Sequence, residues 1–287
     1  MPMGRHALRS LTVCAAVAAI AAGTWSTGAW STSAMALARV PGVAKVQLPP
    51  ANGRFDYQIG GAYKPLPSVR IVDRDRTSHP APGFYNICYI NAFQTQAYQD
   101  RWWKKYHPGL LLRKNGSLVE DPGWPGEIIL DTATSSDRHK LLAIEEGWLH
   151  ICKSKGFNAV EPDNLDSNTR SKGLLTRADD ETFAKLLVAK GHADGLAMAQ
   201  KNDAERSAHL KRTAHFDFAI AEECQVYSEC SYYLKAYGDQ VYEIEYTDDG
   251  RKYYHEACAA RGDRISIILR DREVVARGHK GYVYEAC

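Results

Sequence analysis

Phe157-Asn-Ala-Val-Glu-Pro-Asp-Asn-Leu-Asp166 decides how the chain is read. It follows Gly156, climbs through a short apolar run and then delivers three carboxylates, Glu161, Asp163 and Asp166. A short apolar run bounded by polar residues has the pattern of a buried strand. Pro162 has no N–H to give a ladder, so pairing should weaken toward the strand's C-terminal end. Acids at such an end are costly to bury unless something uses them. A lone Asp there would read as a solvated strand exit. A second stretch of the same form, Ala221-Glu-Glu-Cys224, weighs against that reading.

The same rhythm extends outward in both directions. Strands are expected over 55–59, 69–73, 85–91, 157–163, 195–202, 216–223, 241–246 and 265–271, from short apolar or alternating runs. Helices are expected over 94–106, 136–155, 179–192, 204–213, 231–237 and 253–261. In the second of these, Leu141, Ile144, Trp148 and Ile151 recur at helical spacing, Asp137 lies near the N-terminus, and Gly156 supplies the stop. The link between the second and third strands holds Pro80, Pro82 and Gly83 and is too short for a full helix. Residues 107–131 read as a long loop carrying Trp124, with a small extra strand over 127–131. Eight strands, most followed by a helix, have the size and alternation of a single (β/α)8 TIM barrel. A doubly wound open sheet is the rival, but no Gly-x-Gly-x-x-Gly follows the first strand.

The N-terminus reads differently. Arg5 and Arg9 precede an apolar core from Leu11 to Gly23, which is shorter than the ~20 residues that span a bilayer. Ala36-Leu-Ala38 is a small-x-small cleavage pattern. Residues 1–38 are expected to be a secretory signal peptide, with an uncut anchor as the alternative. Residues 39–53 would form an N-terminal arm and 54–287 the barrel domain. Losing Arg5 and Arg9 takes Lys plus Arg from 36 to 34, against 34 Asp plus Glu. A neutral chain has no electrostatic footprint for nucleic acid. An exported protein with no stable membrane association is therefore expected, as a monomer. Setting Cys14 aside leaves six cysteines, an even count that suits three disulfides. The expected pairs are Cys224–Cys230, closing a short loop, Cys258–Cys287, tying down the C-terminus, and Cys88–Cys152. Metal binding is the other use of cysteine, but no Cys-x-x-Cys or His-x-x-x-His spacing supports it.

The chemistry of a (β/α)8 barrel sits at the C-terminal ends of its strands. There the sequence delivers Asp73 from the second strand, Tyr89 and Asn91 from the third, and Glu161, Asp163 and Asn164 from the fourth. The fifth gives Gln200, Lys201 and Asn202, the sixth Glu222 and Glu223, the seventh Glu245 and Tyr246, and the eighth Arg270 and Asp271. Paired carboxylates on separate strands suit glycoside hydrolysis, in which one acid protonates the leaving oxygen and the other attacks or activates water. Neither a Gly-x-Ser-x-Gly elbow nor a His-Glu-x-x-His motif is present. Tyr57, Tyr63, Tyr89, Trp124 and Tyr246 could line a sugar cleft. The acid excess, with Asp131 and Asp166 added, favours a cationic substrate such as an amino sugar. Internal ion pairing, for example of Asp73 with Arg270, is the competing explanation. Strand alternation predicts that Glu222 and Glu223 do not both face the cavity.

Five stretches carry a resemblance: 55–61, 85–92, Gly156-Phe-Asn-Ala-Val-Glu-Pro-Asp-Asn-Leu-Asp-Ser167, 195–202 and Phe216-Asp-Phe-Ala-Ile-Ala-Glu-Glu-Cys224. The fourth-strand block and the Ala-Glu-Glu-Cys block are the specific ones; the first- and third-strand blocks, 55–61 and 85–92, are supportive. From Phe55 to about Tyr284 the sequence resembles the glycoside hydrolase family 114 domain, the endo-α-1,4-polygalactosaminidase-like barrels. The resemblance implies a barrel that cuts α-1,4-linked galactosamine polysaccharide internally, without a cofactor or metal. It places the essential Asp at Asp163, as nucleophile or base, and the essential Glu at Glu222, as general acid. Asp73, Tyr89, Asn91, Trp124, Glu161, Asn164, Asp166, Gln200, Lys201, Asn202, Glu223, Tyr246 and Arg270 are the candidate substrate contacts. A polysaccharide-binding barrel without turnover and a metal-dependent deacetylase are the readings from other classes.

Overall fold

The structure is a computed structural model that describes residues 46–287. The expected signal peptide, Cys14 and the first part of the arm lie outside the described residues. Eight strands pair in parallel in chain order. They are β1 (Phe55–Tyr57), β2 (Ile71–Asp75), β3 (Tyr85–Asn91), β4 (Ala159–Asp163), β5 (Ala197–Lys201), β6 (Phe218–Glu222), β7 (Val241–Tyr246) and β8 (Ser266–Arg270). A ninth, β9 (Tyr284–Ala286), pairs antiparallel with β8. The result is the (β/α)8 barrel that the alternation implied, with the C-terminal segment laid along its last strand.

Strand alternation divides the core in two. Phe55, Ile71, Ile87, Ala159, Ala199, Ile220, Ile244 and Ile268 belong to one cluster, the interior of the barrel. Their neighbours Cys88, Val160, Met198, Ala219, Ala221 and Ile267 belong to another, between sheet and helices. The period of two along each strand puts successive side chains on opposite faces. The apolar interior residues fill the lower layers, and inward positions further along the strands are polar. Below the barrel, residues 46–53 cover its floor: the Tyr85 hydroxyl donates to the Gln47 carbonyl at 2.6 Å and that of Tyr242 to the Pro50 carbonyl at 3.1 Å.

The seam of the barrel lies between β1 and β9. The Tyr284 hydroxyl crosses it to the Phe55 carbonyl at 2.8 Å, and Arg270 lies 4.0 Å from Asp56. Cys258–Cys287 fastens the chain end that supplies β9. The other two expected disulfides are also present. Cys88–Cys152 staples β3 to the helix packed on it, and Cys224–Cys230 closes the turn after β6.

The helices are α1 (Asp100–Tyr106), α2 (Ser135–Lys155), α3 (Arg177–Ala193), α4 (Ser207–Thr213), α5 (Cys230–Tyr237) and α6 (Arg251–Arg261). The Thr134 side chain caps α2 by accepting from the Asp137 N–H, an arrangement whose loss costs ~1 kcal/mol. Gly156 ends α2 in the left-handed conformation, φ 97°. The helix-free link between β2 and β3 is covered by α2. Lys155 donates to the carbonyls of Arg76, Thr77 and Ser78, and the Arg76 guanidinium lies 4.3 Å from the Trp148 ring. The 107–131 segment does not cover that side. It folds over the ends of β3 and β4 around Leu112, Val119 and Ile129. The strand expected over 127–131 is instead three isolated bridges, because Ile128, Ile129 and Leu130 pair with three different partners: Glu120, Gln94 and Leu111. Among the described residues no helix is long and apolar enough to cross a membrane.

Candidate active site

β4, β5 and β6 end side by side and bring Asp163, Lys201 and Glu222 to one point. Lys201 Nζ lies 3.5 Å from Asp163 Oδ1, 3.3 Å from Glu222 Oε2 and 2.8 Å from Glu161 Oε1. It also donates to the Tyr57 hydroxyl at 3.0 Å. The lysine is 1% exposed, so its charge is spent on these groups rather than on water. Asp163 accepts from the Tyr89 hydroxyl and from the Asn164 N–H, each at 2.8 Å. Glu222 accepts from Asn202 Nδ2 at 3.0 Å and from the Tyr246 hydroxyl.

Three successive strand ends turn through left-handed residues: Asn164 after β4 (φ 66°), Asn202 after β5 (φ 52°) and Glu223 after β6 (φ 58°). Asn tolerates this conformation; Glu does so at a cost. At Glu223 it breaks the strand alternation, so Glu222 and Glu223 both line the cleft, against expectation. Glu223 is turned to the rim and accepts from Arg272 at 2.8 Å.

Burial alone would raise the Glu222 carboxyl. Lys201 and the donors Tyr246 and Asn202 outweigh it and hold Glu222 below the usual carboxylate range. Burial alone would likewise depress Lys201, but Asp163, Glu161 and Glu222 together push it well up. Beneath them lie two buried carboxyls, Asp73 and Glu161; neither Asp73 oxygen nor Glu161 Oε2 has a hydrogen-bond partner among the described residues. Asp73 is fully buried, and burial followed by the Glu161 charge pushes it well above its ordinary value.

The cleft above has a volume of about 410 Å³. Of the residues expected from sequence, Asp163, Glu222, Tyr89, Trp124, Asn164, Asp166, Lys201, Asn202, Glu223 and Tyr246 line it. Glu161 and Asp73 lie below, and Asn91 lies behind, donating to Glu127 at 2.9 Å. Gln200 points the other way: it donates to Ser207 and accepts from Tyr237 on the helix side of the sheet, as its alternation with Lys201 demands. Glu245 also faces outward, accepting from the Gln225 N–H. Arg270 is turned to the seam, toward Asp271 and the Val275 carbonyl, and does not pair with Asp73. Asp131 and Tyr63 stand outside the cleft.

Sequence reading missed Glu127, Asp121, Arg170 and Arg272, which also line the cleft from loops. Asn115-Gly116, both left-handed at φ 51° and 84°, was the available sign that the 107–131 loop folds back as a hairpin and carries its own structure. Arg170 bridges Asp121 (2.7 Å) and Asp166 (3.0 Å), and Arg272 joins Glu223 to Asp249 (2.7 Å). Internal ion pairing therefore accounts for part of the acid excess, through Arg170 and Arg272 rather than through Asp73 and Arg270. Seven acids line the cleft against three cations, and several of the acids are internally paired. Among the described residues one group has metal-ligand chemistry, Cys224, Cys230 and Glu243. Its sulfurs are joined to each other, and its carboxylate is held by Arg261.

The chain matches the glycoside-hydrolase family GH114 over residues 36–287. It is similar in fold to Aspergillus fumigatus Ega3, solved in complex with galactosamine. Identity is 21%, with 86% of this chain and 100% of that one covered, at a TM-score of 0.66. It is also similar to the glycoside hydrolase domain of PelA from Pseudomonas aeruginosa. Here identity is 14%, with 79% and 96% covered, at a TM-score of 0.53. No curated protein matches the sequence. A barrel with two inward carboxylates at one strand rim, matched by the family along most of its length, is a glycoside hydrolase, and this chain belongs to family GH114.

Proposed function

We propose that the protein is a secreted, endo-acting hydrolase of α-1,4-linked galactosamine-containing polysaccharide, with Asp163 and Glu222 as the reacting carboxyls. The observation that carries this reading is the Asp163–Lys201–Glu222 arrangement at the floor of an acid-rich cleft. The galactosamine held by Ega3 supports the choice of sugar. Excess carboxylate concentrates a cationic polymer and disfavours an anionic one.

Asp163 is the nucleophile. Tyr89, the Asn164 N–H and Lys201 fix and stabilise its carboxylate, leaving it aimed at an anomeric carbon. Glu222 carries the proton to the leaving oxygen. The two oxygens that Lys201 contacts cannot be further apart than 3.3 Å plus 3.5 Å. That bound accommodates the direct attack assigned here, which needs carboxyls ~5–5.5 Å apart, and overlaps only the short end of the ~6.5–9.5 Å that seats a water between them. In the first step the glycosidic C–O bond breaks as the Asp163–C1 bond forms, and the leaving oxygen takes the Glu222 proton. In the second, water gives its proton to Glu222 and releases Asp163.

Partly deacetylated α-1,4-galactosaminan is the test polymer. New reducing ends with an early collapse in chain length are expected. Folded protein that binds the polymer tightly and releases no reducing ends over days would instead support a binding barrel.

A further inference from the structure

Glu127 is a carboxyl of the cleft that the two-carboxylate reaction does not use. Every cation lining the cleft is already engaged: Lys201 by the central acids, Arg170 by Asp121 and Asp166, and Arg272 by Glu223, Asp248 and Asp249. Two cleft acids make no salt bridge among the described residues. Glu273 is exposed at the mouth, whereas Glu127 is half-buried and held in place. Asn91 Nδ2 donates to Glu127 Oε2 at 2.9 Å, and Asn91 is itself fixed by Asn164 Nδ2 at 2.9 Å. The other Glu127 oxygen has no protein partner among the described residues. Glu127 also closes a β-turn with Trp124, its N–H donating to the Trp124 carbonyl at 3.0 Å. Pro125 and Gly126 (φ 93°) occupy the central positions that a type II turn demands. From the two ends of this turn Trp124, 46% exposed, and Glu127 both line the cleft.

We propose that Glu127, together with Trp124, is the subsite that reads the free amine of an amino sugar and so sets the preference for deacetylated over N-acetylated polymer. The inference rests on the amino-sugar reading above. A fixed, positioned carboxylate without a cation is complementary to an ammonium, and an indole face accepts the sugar ring or the ammonium itself. An acetamide offers no charge, so Glu127 gains nothing from it.

This geometry has a proton signature. Burial, then the Asp163 charge, push Glu127 up to about 7, with Asn91 and Arg170 opposing and Asp121 adding to the rise. Near neutrality the empty subsite therefore holds a proton for part of the time. An ammonium alongside lowers a carboxyl by ~1–3 units, so binding an amino sugar expels that proton. At pH 6 the release should be about half to one proton per site.

The probes are galactosamine and N-acetylgalactosamine, neither of which has a bond to cut, titrated calorimetrically at pH 6 in buffers of different ionisation heat. Wild type should release a proton to buffer with galactosamine and none with N-acetylgalactosamine. Glu127→Gln keeps an oxygen for Asn91 and should abolish the release. It should also lower the kcat/KM ratio for deacetylated over acetylated polymer by about tenfold or more. No release by wild type, or equal release by Glu127→Gln, would overturn the inference. The functional reading is judged separately. If both proteins cut galactosaminan with the same preference, the reading stands and the inference falls. If neither polymer is cut but galactosamine binding still releases a Glu127-dependent proton, the reading falls and the inference stands.

Discussion

Lys201→Met removes the charge that holds the centre of the site together. The lysine is almost fully buried and contacts Glu161, Asp163 and Glu222 within 3.5 Å. Methionine fills a similar volume but leaves three crowded carboxyls without a counter-charge. Breaking a buried ion pair from one side costs ~3–5 kcal/mol. At ~2–4 °C per kcal/mol for a chain of this size, the midpoint of thermal unfolding should fall by about 6–20 °C at pH 7. The loss should depend on pH. Lys201 holds Glu222 below its unfolded value, so in wild type that stabilisation is present above the unfolded carboxylate range near ~4.3 and is lost as pH falls through the folded value. In the variant Glu222 loses the charge that holds it low, and acid relieves the crowding. The raised value of Lys201 itself matters only above ~10.4, outside this range. The gap between the two proteins should therefore be widest at neutral pH and narrow toward pH ~4. Circular dichroism melts at four pH values from 4 to 7 would measure it. A gap under ~2 °C at pH 7, or one that does not change with pH, would refute the electrostatic account.

Asp73→Asn should be close to neutral, within ~1 kcal/mol in denaturant titration, because burial and the Glu161 charge favour the neutral form of Asp73 and the amide is neutral; Asp73→Ala should cost ~2 kcal/mol or more by opening a cavity at a fully buried position. Cleavage rate should be greatest on the acid side of neutrality, because Lys201 holds the proton donor Glu222 low and its protonated fraction falls as pH rises. A kcat–pH profile that climbs through pH 8 would contradict that role. Cys258→Ser frees the chain end that supplies β9 and should cost ~2–4 kcal/mol, with faster trimming by carboxypeptidase as a direct readout.

What could be read from sequence follows the range of the forces involved. β3 and β7 have the expected bounds because alternation and β-branched residues mark them locally. Asp163 and Glu222 were legible because each follows an apolar run in a repeating pattern. Gln200 could have been excluded by the same rule, since it and Lys201 are strand neighbours and only one can face inward. Glu223 escaped the rule because its left-handed backbone, just before the turn that Cys224–Cys230 closes, carries no sequence mark. Glu127, Asp121, Arg170 and Arg272 come from loops, whose place over the site is set by long-range contacts. β9 is three residues long and exists because β8 offers an edge and a disulfide holds the chain end there.

The most direct test of the central claim is reducing-end release from partly deacetylated α-1,4-galactosaminan by wild type, Asp163→Asn, Glu222→Gln and Glu223→Gln side by side. The account predicts rapid release by wild type, a loss of about a thousandfold or more in each of the first two variants, and a loss below about tenfold in Glu223→Gln, whose carboxylate is committed to Arg272. Wild-type rates in folded Asp163→Asn or Glu222→Gln, or loss confined to Glu223→Gln, would contradict it.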